Sequence, residues 1–319
     1  MRLSIIGKYP IFRVNDWRRR LTARGSRFPT FSFGASEAKS DSTGRMTDLS
    51  PPSFDVRGRV AVITGGYGVL GSSIARGLAA AGARVAVLGR RADAAHREAE
   101  AIARDGGESM AVVADVLDRE QVSAACDRVI ADWGRVDILV NAAGGNVARA
   151  RSDTISVFEI PLDAFDEALR VNLHGTVIPT MAVAEHMARQ QRGAIVNISS
   201  MAALQALSGV MGYSIAKAGI DNFTRWLAVD MARRHGDGVR VNAIAPGFFV
   251  TKQNRAVLLN EDGSYTERSQ RVIRQTPMGR FGRPEELLGA VQWLCSDAAS
   301  FVTGAVIAID GGFSVFSGV

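Results

Sequence analysis

A short apolar strand followed by a glycine-rich turn and a helix is the feature that most constrains the fold of this chain. Residues 59–64, Arg-Val-Ala-Val-Ile-Thr, have the composition of a buried parallel strand. The turn 65–71, Gly-Gly-Tyr-Gly-Val-Leu-Gly, fits G-x-G-x-x-G and leads into a helical pattern at 72–81. This spacing lets a pyrophosphate approach the backbone and the helix N-terminus, so we predict a dinucleotide-binding βαβ unit. The turn residues expected to bind the cofactor are Gly65, Gly66, Gly68, Val69, Leu70 and Gly71.

Strand and helix patterns alternate along the rest of the chain. Apolar strands, of which the last is expected at 305–309, lie between the helical segments. Helices are expected near 69–82, 92–106, 118–133, 163–190, 211–235 and 285–296. This alternation predicts an α/β fold, a doubly wound (Rossmann) parallel sheet with helices on both faces in a single domain.

The second predicted strand, 84–89, ends without the carboxylate that would bind an adenosine ribose hydroxyl. Arg90 and Arg91 follow it instead. A cationic pair at this position suits a 2′-phosphate, so NADP is favoured over NAD. The alternative is that both arginines are solvated residues at a helix start.

Two further strand ends complete the predicted cofactor crevice. Asp115 ends the run 110–115, and Asn141 ends the run 136–141. The small residues 142–146 that follow Asn141 form a loop against which a flat ring could lie. Because ligands of open α/β sheets bind beyond the carboxyl ends of strands, we expect these residues to border the cofactor.

Three side chains with proton-transfer chemistry follow the fifth predicted strand. The run 195–200 ends in Ser200, and the segment 211–235 carries Tyr213 and Lys217 four residues apart, on one helix face. A free tyrosine has a pKa of about 10, and an adjacent ammonium lowers that pKa toward the working pH. The Ser200 hydroxyl can hydrogen-bond a substrate oxygen as negative charge develops on it. The alternative is that Tyr213 and Lys217 are surface residues of an ordinary amphipathic helix. Because the glycine turn predicts a nucleotide cofactor, we favour a site that reduces a ketone or oxidises an alcohol.

From about residue 55 to the C-terminus, the chain resembles the classical short-chain dehydrogenase/reductase family. The matching motifs are Thr64–Gly71, Asp115-Val116, Asn141-Ala-Ala-Gly144, Asn172, Ser200, Tyr213 with Lys217, and Pro246-Gly247. The resemblance implies an NAD(P)-dependent oxidoreductase in which Asn172 and Lys217 share a water-linked proton relay and Lys217 contacts the nicotinamide ribose. It also assigns cofactor contacts to Val116, Ala142, Gly144, Tyr213, Pro246, Gly247 and Thr251. Val69 departs from the family's usual glycine, and we expect a slightly altered backbone there.

The stretch of about 248–283 follows a strand and is expected to form a substrate lid with helical pieces. Together with the loop ending at Asn146 and the C-terminal segment, it resembles the short-chain type of D-mannonate oxidoreductase (fructuronate reductase). A sugar acid needs a cation and several hydrogen-bonding groups. The residues expected to contact it are Asn146, Gln253, Asn254 and Arg255, with Arg280 also able to reach inward.

Other substrates and another class of protein stay open at this point. The lid begins with two phenylalanines but soon turns polar, which favours a small sugar acid over a 3-oxoacyl thioester. Another sugar acid is the nearest alternative. A non-catalytic NADP-sensing protein is the rival from a different class, although a sensor has no need of a complete Ser/Tyr/Lys/Asn set.

Residues 1–45 differ in composition from the remainder, 46–319, which we interpret as the catalytic domain. They hold ten Lys and Arg against three Asp and Glu, so their charge of +7 accounts for the whole net charge of +6. Such a leader resembles a transit peptide, but we interpret it as a disordered extension or as the result of a misassigned start before Met46. The basic charge therefore implies no nucleic-acid partner.

The remaining composition fits a cytoplasmic enzyme. The sequence has no apolar run of about 18 residues, so we predict no membrane span. Cys126 and Cys295 lie far apart in predicted helices, as expected of buried thiols in a reducing compartment. The four histidines have no metal-ligand spacing, so no metal is expected. The family resemblance implies a homotetramer or homodimer in which segments 163–190 and 211–235 pack between subunits.

Overall fold

The computed structural model describes residues 52–152, 155–250 and 258–318. Its strands form a seven-stranded parallel sheet in the order β3-β2-β1-β4-β5-β6-β7. The strands are β1 Val60–Thr64, β2 Arg84–Gly89, β3 Ser109–Val113, β4 Ile138–Asn141, β5 Gly193–Ile198, β6 Val239–Pro246 and β7 Val306–Ile309. The strand order reverses between β1 and β4, which is the switch point where ligands bind in doubly wound folds.

Helices cover both faces of this sheet, as predicted. They are α1 Val69–Ala80, α2 Ala92–Arg104, α3 Arg119–Trp133, α4 Leu162–Leu169, α5 Gly175–Arg189, α6 Met211–His235, α7 Glu267–Arg274 and α8 Leu288–Cys295. In β1, Ala61 and Ile63 pack in one core with α1, α2 and α8. Val60 and Val62 pack in the opposite core with α3, α5 and α6. Successive strand residues therefore face opposite layers, and the predicted α/β architecture is confirmed.

The single helix predicted over 163–190 is broken in the structure. Helices α4 and α5 are joined by a π-helical segment, Arg170–His174. At its centre, the side-chain amide of Asn172 donates to the Ala168 carbonyl oxygen at 2.9 Å. That carbonyl would otherwise accept the backbone N–H of the same residue in an α-helix, so the side chain competes with the regular hydrogen bond. The chain is helical on both sides of this segment, so the sequence pattern of one helix over 163–190 does not reveal it.

Some sequence predictions fall outside the described residues. These include the whole of residues 1–45 and the lid segment 251–257. The described part of the lid contains α7 and an isolated bridge between Phe249 and Gly282. Among the described helices, none combines the length and the apolar character needed to cross a membrane.

Candidate active site

At Gly65 and Gly71 the turn after β1 is packed so tightly that a side chain would not fit. Gly65 has a φ of +62°, and a Cβ there would lie 2.8 Å from the Cα of Ala143. A Cβ on Gly71 would collide with the Gly65 carbonyl oxygen. Gly68 has an ordinary φ of −72°, and Val69 is the first residue of α1. Valine is therefore accommodated where the family usually has glycine.

The N-terminus of α1 fits a pyrophosphate. Its first turn has no capping side chain and no acidic residue. The free N–H groups of this turn and the positive end of the helix dipole face the switch point. Because the glycines leave this backbone uncovered, the turn has room for a pyrophosphate, and its contact with NAD(P) stays a prediction.

At the expected adenosine end, the structure brings together β2, the glycine turn and the loop after β3. Arg90 and Arg91 are exposed, and Arg91 is the N-cap residue of α2. Sequence reasoning missed Tyr67, whose ring lies under the Arg91 guanidinium at 4.9 Å. Asp115 lies two residues beyond β3 rather than at its end, and its carboxylate accepts from the Leu117 N–H at 3.0 Å.

A row of polar side chains crosses the carboxyl end of the sheet. Thr64, Asn141 and Asn197 are register partners on β1, β4 and β5. The Asn141 amide donates to Thr180 Oγ1 at 2.7 Å and to Asn197 Oδ1 at 2.8 Å. The Thr64 hydroxyl accepts from the Ala143 N–H at 3.2 Å. These bonds fix the start of the loop that follows β4.

Asn172 holds the next part of the same loop. This fully buried residue accepts from the Gly145 N–H at 3.0 Å and donates to the Gly145 carbonyl at 2.9 Å. A Cβ on Gly144, which has a φ of +145°, would lie 2.7 Å from Asn172 Oδ1. Asn146 follows as an exposed residue. The π-helical break thus positions a side chain that shapes the small-residue loop.

The structure brings Ser200, Tyr213 and Lys217 into one cluster. Ser200 is 8% exposed and follows β5 by two residues, while Tyr213 and Lys217 lie in the first two turns of α6. Lys217 is 4% exposed, and its ammonium donates to the Ile198 carbonyl at 2.6 Å. Its Nζ lies 5.5 Å from the centroid of the Tyr213 ring. The predicted side chains therefore share one site at the carboxyl end of β5.

The electrostatics of this cluster differ from the sequence prediction. Burial raises the pKa of the Tyr213 phenol, and a hydrogen bond with Ser200 offsets part of that rise. Burial also lowers the pKa of Lys217 to about 8, although the Asp221 carboxylate opposes this shift. The expectation that Lys217 lowers the Tyr213 pKa is wrong for this structure, because desolvation of the phenol dominates.

The described part of the lid borders a cavity of about 400 Å³ beside the ends of β6 and β7. Phe248 and Arg280 are among its lining residues. The Arg280 guanidinium makes two hydrogen bonds to the Glu286 carboxylate, at 2.8 and 2.7 Å. Its charge is therefore already paired at the cavity wall, and a contact between Arg280 and a substrate stays a prediction. Thr251, Gln253, Asn254 and Arg255 lie outside the described residues.

The remaining predicted cofactor residues are packed at the same edge of the sheet. Ala142 and Leu70 pack against one core, and Val116 packs against the other. Pro246 ends β6, and a Cβ on Gly247 would lie 2.6 Å from the Cβ of Asp310. Gly247 is therefore required for the close approach of β6 to the end of β7.

A glycine turn at a switch point, with a Ser/Tyr/Lys cluster at the same sheet edge, defines a dinucleotide-dependent oxidoreductase. The family model described as enoyl-(acyl carrier protein) reductase matches residues 68–314. The chain belongs to the short-chain dehydrogenase/reductase family, whose members act on CH–OH groups with NAD(P).

Similar proteins cover nearly the same length. An uncharacterised oxidoreductase of Bacillus subtilis, UxuB, is 43% identical over 281 residues, which are 85% of this chain and 100% of the relative. A solved Haemophilus influenzae structure with bound NAD, described as a candidate D-mannonate oxidoreductase, is 39% identical. Its TM-score is 0.78, and the match covers 83% of this chain and 98% of that chain. A Burkholderia cenocepacia gluconate 5-dehydrogenase in complex with NADP and tartrate is 35% identical, with a TM-score of 0.73 and coverages of 82% and 98%.

Proposed function

We propose that this oxidoreductase interconverts D-fructuronate and D-mannonate with a preference for NADP. The observation that carries the reaction type is the cluster of Ser200, Tyr213 and Lys217 at the same sheet edge as the glycine turn. The sugar-acid substrate is supported by likeness to a candidate D-mannonate oxidoreductase and by the tartrate complex of a related gluconate 5-dehydrogenase.

Tyr213 and Ser200 act on the substrate oxygen. When bound, NAD(P) would supply or accept the hydride at the substrate carbon. In reduction, the Tyr213 phenol donates its proton to the carbonyl oxygen as charge develops there, and the Ser200 hydroxyl orients and stabilises that oxygen. In oxidation, the Tyr213 phenolate takes the same proton. The raised pKa of Tyr213 favours the protonated form needed for reduction.

Lys217 and Asn172 support this proton transfer. The Lys217 ammonium is anchored on the Ile198 carbonyl. It would hold the nicotinamide ribose of a bound cofactor and complete a water-linked proton relay with Asn172. The hydrogen bonds between Asn172 and Gly145 hold the small-residue loop after β4 next to this relay. Both roles follow the family pattern.

The NADP preference is supported by the end of β2. Gly89 offers no carboxylate to the adenosine ribose, and two exposed arginines follow it. A 2′-phosphate carries close to two negative charges, which a guanidinium can meet with paired N–H donors. We therefore assign Arg90 and Arg91 to that phosphate.

The substrate is assigned to the loop after β4 and to the lid. Asn146, Gln253 and Asn254 supply hydrogen bonds to hydroxyl groups, and Arg255 binds the carboxylate. Replacing Arg255 with alanine removes a charge-assisted hydrogen bond, so the KM for D-fructuronate should rise about 10- to 100-fold. The matched control is R271A, because Arg271 is an exposed arginine of α7 paired with Glu267. Equal KM values in the two variants would contradict the role of Arg255.

The proposed assembly is a cytoplasmic homodimer or homotetramer. Its support is an apolar face on α6, where Ile215, Trp226 and Val229 are 48%, 64% and 57% exposed. Their spacing of eleven and three residues puts them on one side of the helix. Exposed apolar patches of this kind mark interaction surfaces.

A steady-state assay tests the substrate and the cofactor together. D-fructuronate, other sugar acids and a 3-oxoacyl thioester are each supplied with NADH and with NADPH, and kcat/KM is compared. We expect D-fructuronate with NADPH to give the highest value. A higher value for the acyl thioester would contradict the sugar-acid assignment, and a higher value for NADH would contradict the NADP assignment.

A further inference from the structure

Tyr67 occupies the centre of the glycine turn and makes contacts that nucleotide binding by the turn does not require. Its hydroxyl accepts a hydrogen bond from the Arg91 backbone N–H at 3.3 Å. Its ring lies under the Arg91 guanidinium, with the guanidinium carbon 4.9 Å from the ring centroid. The turn after β1 and the start of α2 are therefore tied together through this one side chain.

The same ring determines which residue can end β2. A Cβ on Gly89 would lie 2.8 Å from both Cζ and the hydroxyl oxygen of Tyr67. That distance is shorter than real Cβ contacts, so no side chain fits at position 89 while the ring keeps this place. An acidic residue near this point of a dinucleotide fold binds the ribose 2′-hydroxyl of NAD. Tyr67 thus excludes a carboxylate from that position.

Arg91 is left with donors for a ligand. Among the described residues its guanidinium forms no ion pair and no hydrogen bond, and its one aromatic contact is with the Tyr67 ring. A cation–π contact uses the charge of the guanidinium and none of its N–H hydrogen bonds, so those donors remain available for a ligand. Stacking also restricts an otherwise flexible side chain, which lowers the entropy lost when a ligand binds.

We propose that Tyr67 is a positioning residue for the NADP 2′-phosphate, which holds the Arg91 guanidinium ready for the phosphate and keeps the ribose pocket free of a carboxylate. This inference rests on the proposed NADP preference. It adds a residue outside the arginine pair, and it explains why an aromatic side chain stands in a turn built of glycines.

Binding of nucleotide fragments tests this role without turnover. The affinities of the full chain for 2′,5′-ADP and for 5′-ADP are measured by calorimetry, and their ratio reports recognition of the 2′-phosphate. We expect Y67L to reduce this ratio about two- to fivefold, the range of an exposed cation–π contact. Y67F keeps the ring and should retain most of the ratio. R91Q should reduce the ratio further.

The double variant Y67L/R91Q identifies the route of the effect. If Tyr67 acts through Arg91, adding Y67L to R91Q leaves the ratio unchanged. A wild-type protein that binds both fragments equally would contradict the NADP preference and, with it, this role. If the inference holds, the Y67L variant does not keep the wild-type ratio of the two affinities. An unchanged ratio in Y67L, with or without an equal loss of affinity for both fragments, would overturn the inference about Tyr67 and leave the NADP preference standing.

Discussion

The phenol of Tyr213 has a pKa set by its burial more than by the neighbouring ammonium. Desolvation disfavours the phenolate, while the Ser200 hydrogen bond offsets part of that effect. Lys217 lies beneath the ring but donates to a backbone carbonyl rather than to the phenol oxygen. At neutral pH the phenol is therefore protonated, which is the form that the proposed ketone reduction uses.

The pH dependence should differ between the two directions of the reaction. A raised Tyr213 pKa keeps the phenol protonated through the neutral range, so kcat/KM for reduction should stay level there and fall only above about pH 8, where the Lys217 ammonium loses its proton. Oxidation needs the phenolate, so its kcat/KM should increase with pH. Profiles of both directions with one substrate pair measure this. A reduction rate that already declines with rising pH at neutrality would indicate a lowered pKa and contradict the account.

At the level of elements, the glycine turn and α1 depend on close backbone packing. Gly71 lies where any Cβ would meet the Gly65 carbonyl, so G71A should weaken NADPH binding and lower the denaturation midpoint. Gly289, in α8, has open space around its missing Cβ. G289A should leave binding unchanged and stabilise the protein by about 0.5–1 kcal/mol. NADPH titration and denaturant unfolding of both variants give the comparison. Normal NADPH affinity in G71A would show that the turn does not hold the pyrophosphate.

The sequence was most informative where a pattern repeats over a whole element. Alternation of apolar strands with amphipathic helices predicted the parallel sheet, and β2 ends at Gly89 as expected. The π-helical segment Arg170–His174 was missed because the chain is helical on both sides of it, and a pattern of helical residues does not distinguish a π turn from an α turn. Tyr67 was missed because one aromatic residue in a turn has no periodicity.

Site residues were predictable when spacing alone brings them together. Tyr213 and Lys217, four residues apart on α6, share a face of one helix. The raised pKa of Tyr213 was not predictable, because burial depends on packing among distant elements. The pairing of Arg280 with Glu286 was missed for a similar reason, since the six-residue spacing crosses a turn before the 3₁₀ segment at Pro284.

At the scale of the whole molecule, the excess positive charge and the predicted site residues lie in different parts of the sequence. Residues 1–45 carry a charge of +7, whereas 46–319 carry −1. All the strands and helices described above, and every predicted site residue, lie after Met46. A variant that starts at Met46 should keep kcat, KM and the midpoint of unfolding, and should lose the basic behaviour on ion exchange. A large loss of activity would show that the N-terminal residues contribute to the enzyme.

The reaction and the substrate are determined by different regions of the fold. The sheet edge between β1 and β5 carries the glycine turn and the Ser/Tyr/Lys cluster, which define the oxidoreductase. In the proposed function, the substrate is selected by the lid, and we assign recognition of its carboxylate to Arg255. Substitutions in the lid should therefore change the KM values for different sugar acids, while the variants still catalyse NAD(P)-dependent oxidation or reduction.

The most direct test of the account is turnover by Y213F, compared with S214A. Ser214 is adjacent, and its buried hydroxyl has no hydrogen-bond partner among the described residues, so its loss should have little effect. Oxidation of NADPH by D-fructuronate, or by the best substrate of the panel, gives kcat, and fluorescence titration gives NADPH affinity. The account predicts that Y213F binds NADPH normally while its kcat falls about 10²- to 10⁴-fold. Near-normal kcat in Y213F would contradict the assignment of Tyr213 as the proton donor.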